Sequence, residues 1–282
     1  MMDYSDRTVP TSEPTGAFSR NRQGISDTWS RTLRYLRVSV TDRCNYRCDY
    51  CMPEGSWKPS QKRDLLSLEE IARVVRILAG SGVEKVRITG GEPLLRRNVC
   101  QLVHWIADTP GIKEIAMTTN GHLLEKFAPT LIENGLNRLT LSIDTFDAEA
   151  FHRLTGGDLE RVLAGLAAAK REGLTQIGIN VVALDSINRG HLASIAERCW
   201  SEGCIPRFIE LMPIGDLAYQ SGAQRITHRE IIGELEDAFA LAPMVNSGRS
   251  ATSGPAQYYQ VQTGAYAGQI VGTISPMSDP HF

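Results

Sequence analysis

The sequence predicts an α/β protein, a (β/α)6 barrel, complete or partial, followed by a small α+β appendage. Three observations lead there. Between residues 35 and 215, short β-rich runs alternate with amphipathic segments in six repeats of about 25–35 residues. No G-x-G-x-x-G turn or P-loop follows the first strand, as a doubly wound nucleotide-binding sheet usually has. The unusual residues fall instead in the loops after successive strands, where a barrel places its function.

Leu36–Val40 reads as the first strand, apolar and β-branched before a polar loop. Ser67-Leu68-Glu69-Glu70 is a capping box that opens a helix running through Leu78 and stopping at Gly80. Further strands are predicted at Lys85–Thr89, Glu114–Thr118, Arg138–Ile143, Ile177–Ala183 and Arg207–Leu211. Helices at Asn98–Ala107, Leu123–Glu133, Leu159–Arg171 and His191–Trp200 fill the intervals. After Gly215 the beat ends. Thr227-His228-Arg229-Glu230 caps another helix, and turns containing Gly, Ser and Pro separate the strand-like runs Tyr258–Gln262 and Gln269–Ile274. The expected division is a disordered tail over residues 1–30, a barrel over 31–215 and an appendage over 216–282.

Of the 282 residues, 42% are hydrophobic and 22% charged, the balance of an ordinary globular chain. A net charge of −2 gives no polyanion-binding character, so no nucleic-acid partner is expected. No run approaches the roughly 20 apolar residues that span a bilayer, and the tail has no apolar signal region, so a cytoplasmic protein without a membrane partner is expected. The charge is uneven. Arg20, Arg22, Arg31, Arg34, Arg37, Arg43 and Arg47 face only Asp27 and Asp42 in that stretch, which suits an anionic ligand if the segment lines a pocket and a solvated arm if it does not.

Three of the six cysteines, Cys44, Cys48 and Cys51, lie within eight residues. That is too close for a disulfide framework and points first to metal. A zinc site of four cysteines pairs two C-x2-C units and there is no second unit, while Cys44 argues against a lone C-x-x-C redox motif. Three thiolates at x3 and x2 spacing can take three corners of a cubane cluster and leave one iron open.

With an aromatic residue, Tyr50, just before the third cysteine, and with Gly90-Gly91-Glu92-Pro93 after the second strand, the chain resembles the radical S-adenosylmethionine (SAM) superfamily. The resemblance implies a partial (β/α)6 TIM-like barrel of the radical SAM type. It also implies a [4Fe–4S] cluster on Cys44, Cys48 and Cys51. The methionine end of SAM would chelate the open iron, and one electron would cleave SAM to a 5′-deoxyadenosyl radical. The glycines would let backbone approach the methionine amino group closely.

The likeness narrows further. Leu36 to Cys44 running on to Cys51-Met52-Pro53, Val86 to Leu94, Met117 to Gly121, Leu141 to Asp144, Arg207 to Pro213 and Ile274 to Ser278 resemble the GTP 3′,8-cyclases of molybdenum cofactor biosynthesis. That family makes Tyr50, Gly90, Gly91, Glu92, Ser142 and Met212 SAM-binding positions, and Arg37, Arg87 and Thr118 contacts to GTP or another anionic nucleotide. A reducing electron donor is implied as partner. Guanidinium groups at a barrel mouth suit a triphosphate through charge-assisted, often bidentate bonds. Two departures stand out. Where the family has a GTP-binding Lys-x-Asn on strand five, this chain reads Gly178-Ile179-Asn180. The family's second cluster-binding cysteine set follows the segment matching Ser275 to Phe282, so the appendage is expected to be truncated relative to the family. Cys100, Cys199 and Cys204 are expected to be buried thiols.

Overall fold

The computed structural model describes residues 24–26, 32–51, 59–212, 225–244 and 255–278. Most of the predicted N-terminal tail lies outside the described residues.

Strand β1 (Tyr35–Ser39) leads through the cysteine loop to helix α1 (Leu68–Gly80). Then follow β2 (Lys85–Thr89), α2 (Val99–Ala107), β3 (Glu114–Thr119), α3 (Leu124–Glu133) and β4 (Arg138–Ser142). Next come α4 (Ala148–Thr155), α5 (Leu159–Arg171), β5 (Ile177–Ala183), α6 (Asp185–Asn188), α7 (Leu192–Ser201) and β6 (Ile205–Glu210). The chain continues with α8 (His228–Glu236), β7 (Leu241–Pro243), β8 (Gln257–Val261) and β9 (Ile270–Ile274). The capping boxes at Ser67 and Thr227 both form, each hydroxyl accepting from the N3 amide while the N3 glutamate reaches back.

The strands make one sheet in the order β1-β2-β3-β4-β5-β6-β9-β8-β7. Strands β1 to β6 and β9 run parallel, and β8 and β7 return antiparallel. β1 and β7 are its two edges, so the barrel is partial. The C-terminal strands do not form a sheet of their own: β9 pairs with β6 from Arg207↔Gly272 onward, which covers an edge that would otherwise be bare. That pairing starts one residue after Pro206, which has no N–H to give to a ladder.

Alternation along each strand sorts the residues onto two faces. Val86, Ile88, Ile115, Met117, Leu139, Leu141, Ile179, Val181 and Phe208 are buried against Ile71, Val75, Leu102, Ile106, Leu131, Val162, Leu166 and Ile195 of the helices. The core therefore lies between sheet and helices, which frees the opposite face for polar residues. No helix of the described residues is long and apolar enough to cross a membrane.

Candidate active site

The loop after β1 is held on two sides. Gly91 N–H donates to Thr41 O and Glu92 N–H to Arg43 O, both at 2.7 Å, joining the cysteine loop to the loop after β2. The approach is so close that a Cβ on Gly91 would sit 2.3 Å from Arg43 O, and one on Gly90 2.5 Å from Thr41 O. Gly90 and Gly91 are thus fixed by the protein's own packing, whatever else their backbone meets. On the other side, Arg47 N–H donates to Thr155 O at 2.9 Å and Asp49 N–H to Leu154 O at 3.1 Å, at the C-terminus of α4. Tyr46 wedges between them. Its ring lies edge-on to His122 and Phe151, and it covers Gly157, where a Cβ would come within 2.3 Å of Tyr46 Cζ.

Cys51 N–H closes a turn onto Cys48 O at 2.9 Å. Burial pushes all three thiols upward, and Asp144 adds to the rise at Cys48. Left alone they stay protonated, and as thiolates they call for a bound cation. Among the described residues no three His, Cys, Asp or Glu side chains converge as a single metal ion requires. A cubane attaches each thiolate to a different iron, so the donor set fits a cluster better than one ion.

Two buried carboxylates brace this loop. Glu92, fully buried, accepts from Leu94 N–H (3.0 Å), Thr119 Oγ1–H (2.7 Å) and Asn120 N–H (2.8 Å). Its side chain is spent inside the protein. Asp144 accepts from Val182 N–H and Tyr50 Oη–H, both at 2.7 Å, and burial pushes its carboxyl up to about 6. Ser142 ends β4 and is half-buried, whereas Met212, just past β6, is exposed.

The face turned from the helices carries a polar patch, interrupted by Ala116 beside Arg87 and giving way to Val182, Ile209 and Ile274 at the C-terminal ends of β5, β6 and β9. In register along it stand Tyr35, Lys85 and Glu114, then Arg37 and Arg87, then Thr118, Thr140 and Gly178, then Asn180, Arg207 and Gly272. Glu114 is shared by Lys85 Nζ at 2.6 Å and Arg138 Nε at 2.7 Å. Arg87 donates to Tyr35 Oη (2.6 Å), Thr118 Oγ1 (2.9 Å) and Thr140 Oγ1 (3.0 Å), and Arg207 donates to the same Thr140 Oγ1 at 2.7 Å. Two guanidinium groups therefore converge on one hydroxyl, while Glu114 is taken by Lys85 and Arg138 and no ion pair to Arg87 or Arg207 forms among the described residues. Arg207 Nε and Asn180 Oδ1, neighbours in register, are sealed from solvent without a hydrogen-bond partner. Burial weakens Arg207's hold on its proton, Tyr258 opposes this as a hydrogen-bonding neighbour, and the charges of Arg87 and Arg138 add to the weakening. Arg37, on the edge strand, is exposed.

Of the predicted positions, the structure links Tyr50, Gly91 and Glu92 to the cysteine loop or its braces, and joins Arg87 to Thr118. Sequence reasoning left Arg207 out. Its stem passes Gly272, and its guanidinium lies over Gly178, where a Cβ would meet Arg207 Nη2 at 2.9 Å. The sequence signal was a lone arginine in a mostly apolar strand; across the ladder it stands between Asn180 and Gly272.

This fold and loop define the class of protein. Residues 38–199 match the Radical SAM superfamily. Among solved structures, Streptococcus suis SuiB bound to S-adenosylmethionine is similar over 73% of this chain and 48% of its own, with a TM-score of 0.62 at 17% identity. Methylornithine synthase aligns over 73% of this chain and 62% of its own at a TM-score of 0.57 and 18% identity. The "GTP 3′,8-cyclase" of Alkaliphilus metalliredigens is 40% identical over 92% of this chain and 78% of its own length. That of Paracoccus denitrificans is 39% identical over 90% and 72%. The chain belongs to the radical SAM superfamily and, within it, to the GTP 3′,8-cyclase family. It is thus a radical SAM enzyme with an iron–sulfur cluster and SAM as cofactors.

Proposed function

We propose that this chain binds a [4Fe–4S] cluster on Cys44, Cys48 and Cys51, binds SAM beside it, and cyclises GTP. When bound, the cluster supplies the electron that cleaves SAM. The protein's part is to hold the cysteine loop between the loop after β2 and the end of α4, and to keep the reacting region apart from water. Tyr50, Ser142, Met212 and the backbone of Gly90, Gly91 and Glu92 are the SAM positions in this reading. Glu92 acts there through its main chain, since its carboxylate already has three donors.

The observation that carries the substrate reading is the convergence of Arg87 and Arg207 on Thr140 without a carboxylate. Half-buried guanidinium groups without a carboxylate suit an anion, and a triphosphate offers several oxygens to planar donors. Arg37 and Thr118 adjoin the same seat. Arg207 also answers the missing strand-five lysine, because its charge enters from β6 into the space that Gly178 leaves open. The seat supports phosphates; the guanine is supported by the relatives alone.

The test is calorimetric titration of GTP into anaerobically reconstituted protein and its Arg207→Met variant. Losing a charge-assisted bond of about 1.5–3 kcal/mol should weaken binding about ten- to a hundredfold. The melting temperature of the nucleotide-free protein should hold or rise, because a half-buried cation with no carboxylate beside it has been removed. Unchanged affinity with a lower melting temperature would make Arg207 a structural residue and remove the phosphate seat.

A further inference from the structure

We propose that Asn120 sets the reduction potential of the cluster by donating its side-chain N–H to the sulfur of Cys44. The inference rests on the reading that Cys44 is a cluster ligand.

Asn120 follows β3 and is oriented from three directions. Its main-chain N–H donates to Glu92 Oε2 at 2.8 Å. Its Oδ1 accepts from His122 N–H at 3.1 Å, which fixes which end of the amide is which. Nδ2 is thereby turned to the cysteine loop, where it lies 3.0 Å from Asn45 Oδ1 and 3.8 Å from Cys44 Sγ. The Tyr46 main-chain N–H reaches the same sulfur at 3.4 Å. Cys44 thus has two N–H donors, of which only the one from Asn120 belongs to a side chain.

Hydrogen bonds to cluster sulfurs disperse the negative charge of the reduced state and raise the potential. The buried Glu92 carboxylate has the opposite influence, since it stands close enough to disfavour charge on Cys44. The same carboxylate anchors the Asn120 backbone. The element that makes this sulfur harder to charge therefore also aims the donor that offsets it. Asn120 is a positioning residue: it touches a ligand atom, not the substrate.

Two variants separate the donor from the scaffold. Asn120→Asp keeps an acceptor for His122 N–H and replaces only the donating nitrogen, and Asn120→Ala removes both. Both should keep about four irons per chain, as one cubane requires. In anaerobic EPR-monitored redox titration both should show a more negative midpoint than the unsubstituted holoprotein, Asn120→Asp the more so because it adds charge. An unchanged or more positive midpoint in Asn120→Ala would overturn the proposal. So would loss of the cluster from both variants, since a residue that only tunes one sulfur leaves all three thiolates in place. Failure of the underlying reading looks different: Cys44→Ala would then retain the full iron content.

Discussion

Asp144 shows how one residue carries opposing demands. Full burial favours its neutral form, while two donors, Val182 N–H and Tyr50 Oη–H, favour the carboxylate, and burial prevails to hold the carboxyl up to about 6. A folded value above the unfolded one means the folded state binds more protons between the two, so stability falls as pH rises from about 4 to about 6 and is level above. Asp144→Asn keeps an acceptor for Val182 and removes the titration. In thermal melts of the metal-free protein across pH 4–7, stability should therefore gain more, or lose less, with rising pH in Asp144→Asn than in the unsubstituted chain, and an identical pH dependence would show that burial does not control this group. Gly178 is the other residue whose meaning changes with structure. In the sequence it reads as a lost lysine, because spacing reveals what a position lacks and not what reaches it from the next strand. A Cβ there would sit 2.9 Å from the Arg207 guanidinium, so Gly178→Ala should displace that group and weaken GTP binding by about tenfold or more. Calorimetry that finds wild-type affinity would show that the guanidinium has another place to go.

At the scale of elements, what was legible was what repeats. The amphipathic period and the two capping boxes located the six strands and their main helices within a residue or two. Helix α4 was missed: Ala148–Thr155 is short and polar, and only Asp147 capping Ala150 N–H and the left-handed Gly156 announce its ends. That omission hid half of the site's support, since α4 receives the cysteine loop through Thr155 O and Leu154 O. Loop against loop is a long-range contact that no local pattern encodes. The cysteines and Gly90-Gly91 were legible as motifs, but not the reason for the glycines, which is a main-chain approach between two loops. Gly91→Ala would place a Cβ 2.3 Å from Arg43 O, and because the obstacle is backbone the loops must part. We expect iron to leave this variant much faster on chelator challenge, with α-helical content by circular dichroism unchanged. Retention equal to wild type would mean the loop can shift without loosening its cysteines.

For the whole molecule, the question is whether the C-terminal strands unfold with the barrel or apart from it. Their hydrogen bonds favour the former. β9 continues the parallel ladder of β6, and Glu210, fully buried at the end of β6, accepts from Met277 N–H (3.3 Å), Ser278 N–H (3.0 Å) and Ser278 Oγ–H (2.6 Å). At the opposite end of the strands, Trp200 of α7 donates from Nε1 to Ile270 O at 2.8 Å. Its ring packs with Phe239, past α8, and with Tyr266, in the turn between β8 and β9, at centroid distances of 5.0 and 5.3 Å. One side chain of the barrel thus binds three segments of the C-terminal part. Trp200→Ala should cost about 3–5 kcal/mol, as deletion of a large buried aromatic does. At roughly 2–4 °C per kcal/mol for a chain of this size, the melting temperature should fall by about 6–20 °C. The sheet is shared, so calorimetry should still show one transition, and hydrogen exchange should speed up across β6 and β9 together. Trp200→Phe keeps most of the packing and loses the N–H bond, so it should cost only about 1 kcal/mol. Two resolved transitions in Trp200→Ala, with β6 still protected while β9 exchanges, would show instead that the C-terminal strands are a separate folding unit resting on the barrel.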